Sequence, residues 1–133
     1  MNPATVEREI LDMATEDFCG LWEIIWRLRD LSPRGLTLEL RNKAESAVRE
    51  LLAKGWIELY RCAGVSVEEK LIPIDEVDRV LSEPASWKEP SKGSVQFLLA
   101  PTPKGERVYY RKKTNTRVKD KTGKRAKKET KRE

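Results

Sequence analysis

Asn42-Lys-Ala-Glu-Ser-Ala-Val-Arg-Glu-Leu-Leu-Ala-Lys-Gly-Trp-Ile-Glu-Leu-Tyr60 is the stretch that decides the fold. Ala44, Ala47, Val48, Leu51 and Leu52 recur at the spacing of one apolar helix stripe. Lys54 places a cation in the last turn, and Gly55 is free to take the left-handed conformation that ends a helix. Trp56, Ile57, Leu59 and Tyr60 then supply side chains suited to a strand. The pattern predicts a helix over Thr37–Lys54 that stops at Gly55 and passes at once into a strand over Trp56–Arg61.

Upstream, Asn2-Pro3 suits an N-cap followed by the first helical residue. Val6, Ile10 and Met13 carry a first helix on to Ala14. A second helix is predicted over Asp17–Leu31. It holds Phe18, Leu21, Trp22, Ile24, Ile25, Trp26, Leu28 and Leu31, with a polar strip of only Glu23, Arg27 and Asp30. So narrow a strip predicts the most buried helix of the chain, with the Trp22–Trp26 pair as core, the alternative being that it lines a ligand pocket. Ser32-Pro33-Arg34-Gly35 is a turn by composition.

Downstream, Ala63-Gly64 is predicted to turn the chain, and Glu68–Ile74 to be a second extended piece. Asp75–Ser82 reads as a short helix capped by Asp75, with Val77, Val80 and Leu81 turned inward. Residues 83–93, rich in Pro and ending in Gly93, form a loop whose Trp87 is expected to pin it to the body. Val95–Ala100 returns as a strand ended by Pro101. Thr102-Pro103-Lys104-Gly105 then caps a last helix running to Tyr110.

The chain of 133 residues is 38% apolar, enough for one modest core over residues 1–110. No apolar run approaches the ~20 residues of a membrane span. The N-terminal residues lack a basic region followed by an apolar one, so no secretory signal is expected and the expected compartment is the cytoplasm, with Cys19 and Cys62 as reduced thiols. The net charge of +5 is divided unevenly. Residues 111–133 hold twelve Lys or Arg against three acids, a net of +9, which leaves residues 1–110 at −4. The last segment lacks apolar residues other than Val118 and Ala126, and is predicted to be a disordered basic arm when alone.

Three pieces resemble the winged helix-turn-helix regulators, within the broad class of the MarR-like and PadR-like repressors. Gly20-Leu-Trp-Glu-Ile-Ile-Trp-Arg-Leu28 resembles their early scaffold helix. Ala44–Tyr60 resembles their reading helix and first wing strand, and Phe97–Gly105 their second wing strand followed by a Thr-x-x-Gly helix start. The resemblance implies an α+β, mainly α fold: three or more helices and a small antiparallel β-wing, ending in the basic tail. It also implies a non-enzymatic DNA-binding protein of the bacterial transcription-regulator type, possessing no cofactor. Two departures stand out. The room between Leu31 and the third helix is too short for a separate helix, so the second helix is reduced to one turn near Gly35–Leu40 or fused with the next. The wing carries an insert over residues 62–94, where the family has a short tip.

With its apolar stripe inward, the third helix would turn Asn42, Glu45, Ser46, Arg49 and Ala53 outward. In a major groove Asn42 and Arg49 suit base edges, because Asn pairs bidentately with adenine and Arg with guanine. Arg41, Lys43 and Ser46 suit phosphates. The plain alternative is a solvated helix face, which Glu39, Glu45 and Glu50 favour by repelling phosphate. The arm offers Arg111, Lys112, Lys113, Arg117, Lys119, Lys121, Lys124, Arg125, Lys127 and Lys128. These neutralise phosphate without reading sequence. The expected partner is nucleic acid, duplex DNA foremost, or another polyanion. The alternative is a protein-interaction adaptor on a degenerate winged helix, and Val6, Ile10 and Met13 offer either a homodimer seam or core. The chain contains no histidine, which removes Ser-His and Cys-His catalysis and any His-containing metal site. The expectation is therefore a protein that is not an enzyme and holds no metal.

Overall fold

A computed structural model describes residues 2–63, 69–91 and 94–111. In chain order they form α1 (Pro3–Glu16), β1 (Cys19–Gly20), α2 (Leu21–Leu31), α3 (Thr37–Ala53), β2 (Ile57–Ala63), β3 (Lys70–Leu71), α4 (Ile74–Ser82), a 3-10 turn over Pro84–Trp87, and β4 (Val95–Pro101). A fifth helix, α5, covers 103–111. The fold is α+β and mainly helical, with one four-stranded antiparallel sheet in the order β1-β4-β2-β3.

The helix predicted over Asp17–Leu31 begins later than expected. The Asp17 carboxylate accepts the Phe18 N–H at 2.7 Å, and the backbone at Asp17 is extended. Cys19 and Gly20 then pair with Leu99 and Leu98 of β4. Gly20 becomes the N-cap of α2, and its N–H is held by the Glu23 carboxylate at 2.7 Å. Sheet pairing and this cap together outweigh the helical periodicity of Asp17–Gly20. Nor is α2 buried all round. Leu21, Ile24, Ile25 and Leu28 face the core, whereas Trp26 is 55% exposed and Phe18 and Leu31 are also exposed. Trp22 is half-buried and meets Trp26 edge to face at 5.0 Å. The tryptophan pair therefore sits at the margin of the core, and the polar strip underestimated the exposed face.

Residues 32–36 turn the chain between α2 and α3, with the Gly35 N–H on the Ser32 carbonyl at 2.9 Å. No helical turn intervenes there. The predicted stripe of α3 holds: Ala44, Ala47, Val48 and Leu51 are buried, joined by Leu40, and Leu52 packs at their edge. Gly55 takes φ +76°. Its N–H reaches the Leu52 carbonyl at 3.0 Å and that of Trp56 reaches Leu51 at 3.1 Å, the paired bonds of a Schellman C-cap. The chain leaves that cap directly into β2, whose residues pair with β4 from Ile57↔Pro101 to Ala63↔Val95.

The connection between β2 and β4 packs as part of the body. Ile72, Val80, Leu81 and Trp87 enter the same core as the helices. Trp87 is 5% exposed, and its indole N–H donates to the Leu81 carbonyl at 2.9 Å. Truncating so buried a tryptophan typically removes ~3–5 kcal/mol, so the expected pin is a strong one. Two details differ from the sequence reading. Among the described residues of the second extended piece only Lys70–Leu71 form a strand, and α4 starts at Ile74 with Pro73 in the N-cap position. Asp75 thus lies inside the first turn, where its charge suits the helix dipole, and caps nothing. The predicted turn at Gly64 lies outside the described residues.

Thr102 joins the two corners of the sheet. Its hydroxyl accepts the Gly105 N–H at 3.0 Å, capping α5 as expected, and donates to the Gly55 carbonyl at 2.6 Å. Its backbone N–H donates to the Trp56 carbonyl at 3.0 Å. Gly105 presses so closely on the same peptide that an added Cβ would stand 1.9 Å from the Trp56 carbonyl oxygen. Gly105→Ala therefore forces the two corners apart. It is expected to lower unfolding stability by roughly 3 kcal/mol, at the upper end of overpacking costs, read as a fall in the urea midpoint.

Candidate nucleic-acid interface

The α3 positions singled out as contacts divide between two environments. Arg41 and Arg49 lie along the edge of α3 that faces α4, and both reach Glu45, which stands between them. Arg41 Nη2 meets Glu45 Oε1 at 3.3 Å, and Arg49 meets Glu45 Oε2 through Nη2 at 2.8 Å and Nε at 3.1 Å. α4 supplies further partners. Arg49 Nη1 pairs with Asp78 Oδ1 at 2.9 Å, and its Nη2 donates to Ser82 Oγ at 3.2 Å. Arg41 Nη2 donates to the carbonyls of Leu81 (3.4 Å) and Ser82 (3.2 Å), a guanidinium at the C-terminal end of α4. The bond to Glu45 is the chief reason that the Arg49 pKa is held above its ordinary value.

Asn42, Lys43 and Ser46 are exposed and open toward α1. They line a groove of about 370 Å³ between α1 and α3, together with Glu7 and Glu50 and the apolar Pro3, Val6 and Ala47. Glu7 is bonded to Lys54 Nζ at 2.9 Å, and that ammonium also lies over the Trp56 ring, 4.6 Å from its centre. The groove collects three of the five α3 residues expected to bind, but two carboxylates share its walls.

Arg111 is exposed at the end of α5, next to the exposed Tyr110. The remaining arm residues, Lys112 to Lys128, lie outside the described residues, as does the predicted disorder of that arm. Val6 and Ile10, offered as either a dimer seam or core, are fully buried beneath α3, and Met13 packs against them. That face of α1 belongs to the core. Sequence reasoning missed Asp78 and Ser82 as neighbours of α3. Nothing local signals them, because the contacts join residues 29 to 41 positions apart in sequence.

Both cysteines are free thiols and buried. Burial, with the nearby Glu23 adding to it, pushes the Cys19 thiol up to about 12. Such a thiol stays protonated and poorly nucleophilic. Among the described residues, no group of three His, Cys, Asp or Glu gathers as a metal site. No helix among them is long and apolar enough to cross a membrane. Comparison with protein-family models, with curated proteins and with solved structures finds no match for this chain.

Two measurements probe this geometry. Arg41→Ala removes the group that bridges α3 to the end of α4 and is expected to destabilise by about 1–3 kcal/mol, whereas the exposed changes Asn42→Ala and Ser46→Ala are expected to stay within about 0.5 kcal/mol. Cys19 supplies a pH dependence. Its folded pKa is raised above the ordinary 9.0, so the unfolded chain releases the proton first. The stability it contributes is intact below about pH 9 and declines as pH rises toward 12. Burial and the Asp12 carboxylate also raise the Tyr109 phenol, with the same sign. The urea midpoint should fall between about pH 8 and pH 10.5, and Cys19→Ala should reduce that fall.

Proposed function

We propose that the chain is a non-enzymatic nucleic-acid-binding protein on a winged helix-turn-helix scaffold, with duplex DNA as its foremost partner. The observation that carries this reading is the order α1-β1-α2-turn-α3-β2, followed after β3 and α4 by β4, in which the two-residue β1 pairs with the second long strand. In a winged helix, α2 and α3 would be the helix-turn-helix, α3 the reading helix, and β2 with β4 the wing. On this reading no helix is missing. The short space after Leu31 is the turn itself, and Gly20–Leu28 belongs to the helix before the reading helix.

The distribution of charge supports a division of labour. Residues 1–110 are net acidic and the basic surplus lies beyond them, so the arm from Arg111 to Lys128 supplies sequence-independent attraction for phosphate. The exposed Asn42, Lys43 and Ser46 of α3 supply whatever specificity the body adds. A cytoplasmic, transcription-regulator-like role follows from the same reading.

The adaptor reading draws on a different observation. Arg41 and Arg49 are engaged within the chain, and large apolar side chains at Trp26, Leu36, Leu38 and Ile74 are exposed. These features suit a protein partner at least as well as DNA.

Binding of the full chain to a labelled random-sequence duplex across a salt series separates the two. With about six arm charges on phosphates, log affinity should fall against log salt with a slope of roughly −5. With Lys112, Lys113, Lys119, Lys121, Lys124, Lys127 and Lys128 changed to Gln, the slope should become shallow while weak binding by the body persists. Loss of all binding in that variant would leave the body without a nucleic-acid surface and favour the adaptor.

A further inference from the structure

α4 lies within side-chain reach of the edge of α3 on which Arg41, Glu45 and Arg49 follow one another at single-turn spacing, and the two arginines make the connection. Its two ends are held very differently. The C-terminal end is anchored: Val80 and Leu81 are buried, the Trp87 indole N–H holds the Leu81 carbonyl, and Arg41 reaches the carbonyls of Leu81 and Ser82. The N-terminal end is tied just ahead of the helix, where Ile72 is buried and its N–H donates to the Leu59 carbonyl at 2.9 Å, but its own first residues are more open. Ile74 is 91% exposed, Val77 is only half-buried, and Pro73 in the cap position has no side-chain hydrogen bond to offer. Asp78, the residue paired with Arg49, lies at the middle of α4 with its side chain 81% exposed. An ion pair so exposed contributes only about 0–1 kcal/mol.

We infer that α4 is an autoinhibitory cover on α3, holding Arg49 through Asp78 and Ser82 and yielding it to a backbone phosphate when duplex binds. The inference rests on the nucleic-acid reading above and adds a regulated contact to it. Arg41 stays with the anchored end, as part of the hinge. Arg49 is the releasable group: Glu45 keeps it beside α3, and the two α4 contacts are the ones that phosphate replaces. The affinity of α3 for nucleic acid is then set by how firmly α4 is formed around Asp78 and so holds Arg49.

Two variants of the full chain move that equilibrium in opposite directions. Asp78→Asn with Ser82→Ala removes both α4 side chains from Arg49 at exposed positions. Pro73→Ser provides the missing N-cap without adding charge and firms the helix. By fluorescence anisotropy on a labelled duplex at low salt, the first is expected to bind about threefold to tenfold more tightly than the natural chain, and the second more weakly. Adding Arg49→Gln should abolish the gain of the first, which a general loss of negative charge would not explain. Amide exchange over residues 77–79 should quicken when duplex is added to the natural chain. If the natural chain binds but Asp78→Asn/Ser82→Ala binds no better, or keeps its gain with Arg49→Gln present, the cover is refuted and the nucleic-acid reading stands. If no variant binds duplex, both fall together.

Discussion

The lock between the Gly55 and Thr102 corners is the constraint on which the architecture depends. A helix that ends in a left-handed glycine leaves carbonyls pointing away from it, and buried or crowded carbonyls need partners. Here the Gly55 carbonyl is taken by the Thr102 hydroxyl and that of Trp56 by the Thr102 N–H. The same hydroxyl then caps α5 through Gly105. One residue therefore fixes where α3 stops, where β2 and β4 meet at the end of their ladder, and where α5 departs. Gly105 is required because the backbones touch at that point. The register from Ile57↔Pro101 onward follows from this corner. A one-residue slip would turn Leu59 and Leu99 out of the core.

Glu45 organises the surface in a comparable way. A carboxylate between two arginines at i−4 and i+4 neutralises that face and holds both guanidiniums near the helix. The near-neutral charge of α3 in sequence thus has a structural counterpart. One of its acids, Glu45, grips both Arg49, the cation expected at base edges, and Arg41, expected at phosphate. The exposed Asn42, Lys43 and Ser46 of α3 adjoin Glu7 and Glu50. A surface of that composition draws little phosphate by itself, which is why the attraction in the proposed function is assigned to the arm.

Much of this was legible in the sequence where the signal was local. The α3 stripe, the Lys-Gly stop, the Asn2 cap and the Thr102–Gly105 helix start depend on residues within a turn of one another, and each appears as read. The misreadings arose where long-range pairing decides. Asp17–Gly20 carries helical periodicity, but its last two residues, Cys19 and Gly20, are claimed by β4, a strand about eighty residues later. Trp26 looked like core because the polar strip of α2 is narrow, yet exposure depends on which neighbours arrive, and the described residues leave Trp26 55% exposed. Asp75 has the chemistry of a cap, but the helix begins one residue earlier after Pro73. The candidate site suffered most, because its decisive neighbours, Asp78 and Ser82, reach α3 only through the fold.

A weak cover and a strong arm are physically consistent with each other. The arm follows α5 in the chain, so once its charges engage a duplex, any further contact by the body becomes intramolecular. Covalent linkage of this kind raises the effective concentration of the second site to about the millimolar range for short connections. A contact too weak to form from dilute solution can then compete with Asp78 for Arg49, because the exposed pair it replaces is itself worth little. A buried, fully satisfied pair would resist that exchange, since removing one partner from such a pair costs several kcal/mol. Exposure of Asp78 therefore matters more to the proposed switch than the shortness of its bond to Arg49. The arrangement would suppress α3 contacts away from nucleic acid and permit them beside it.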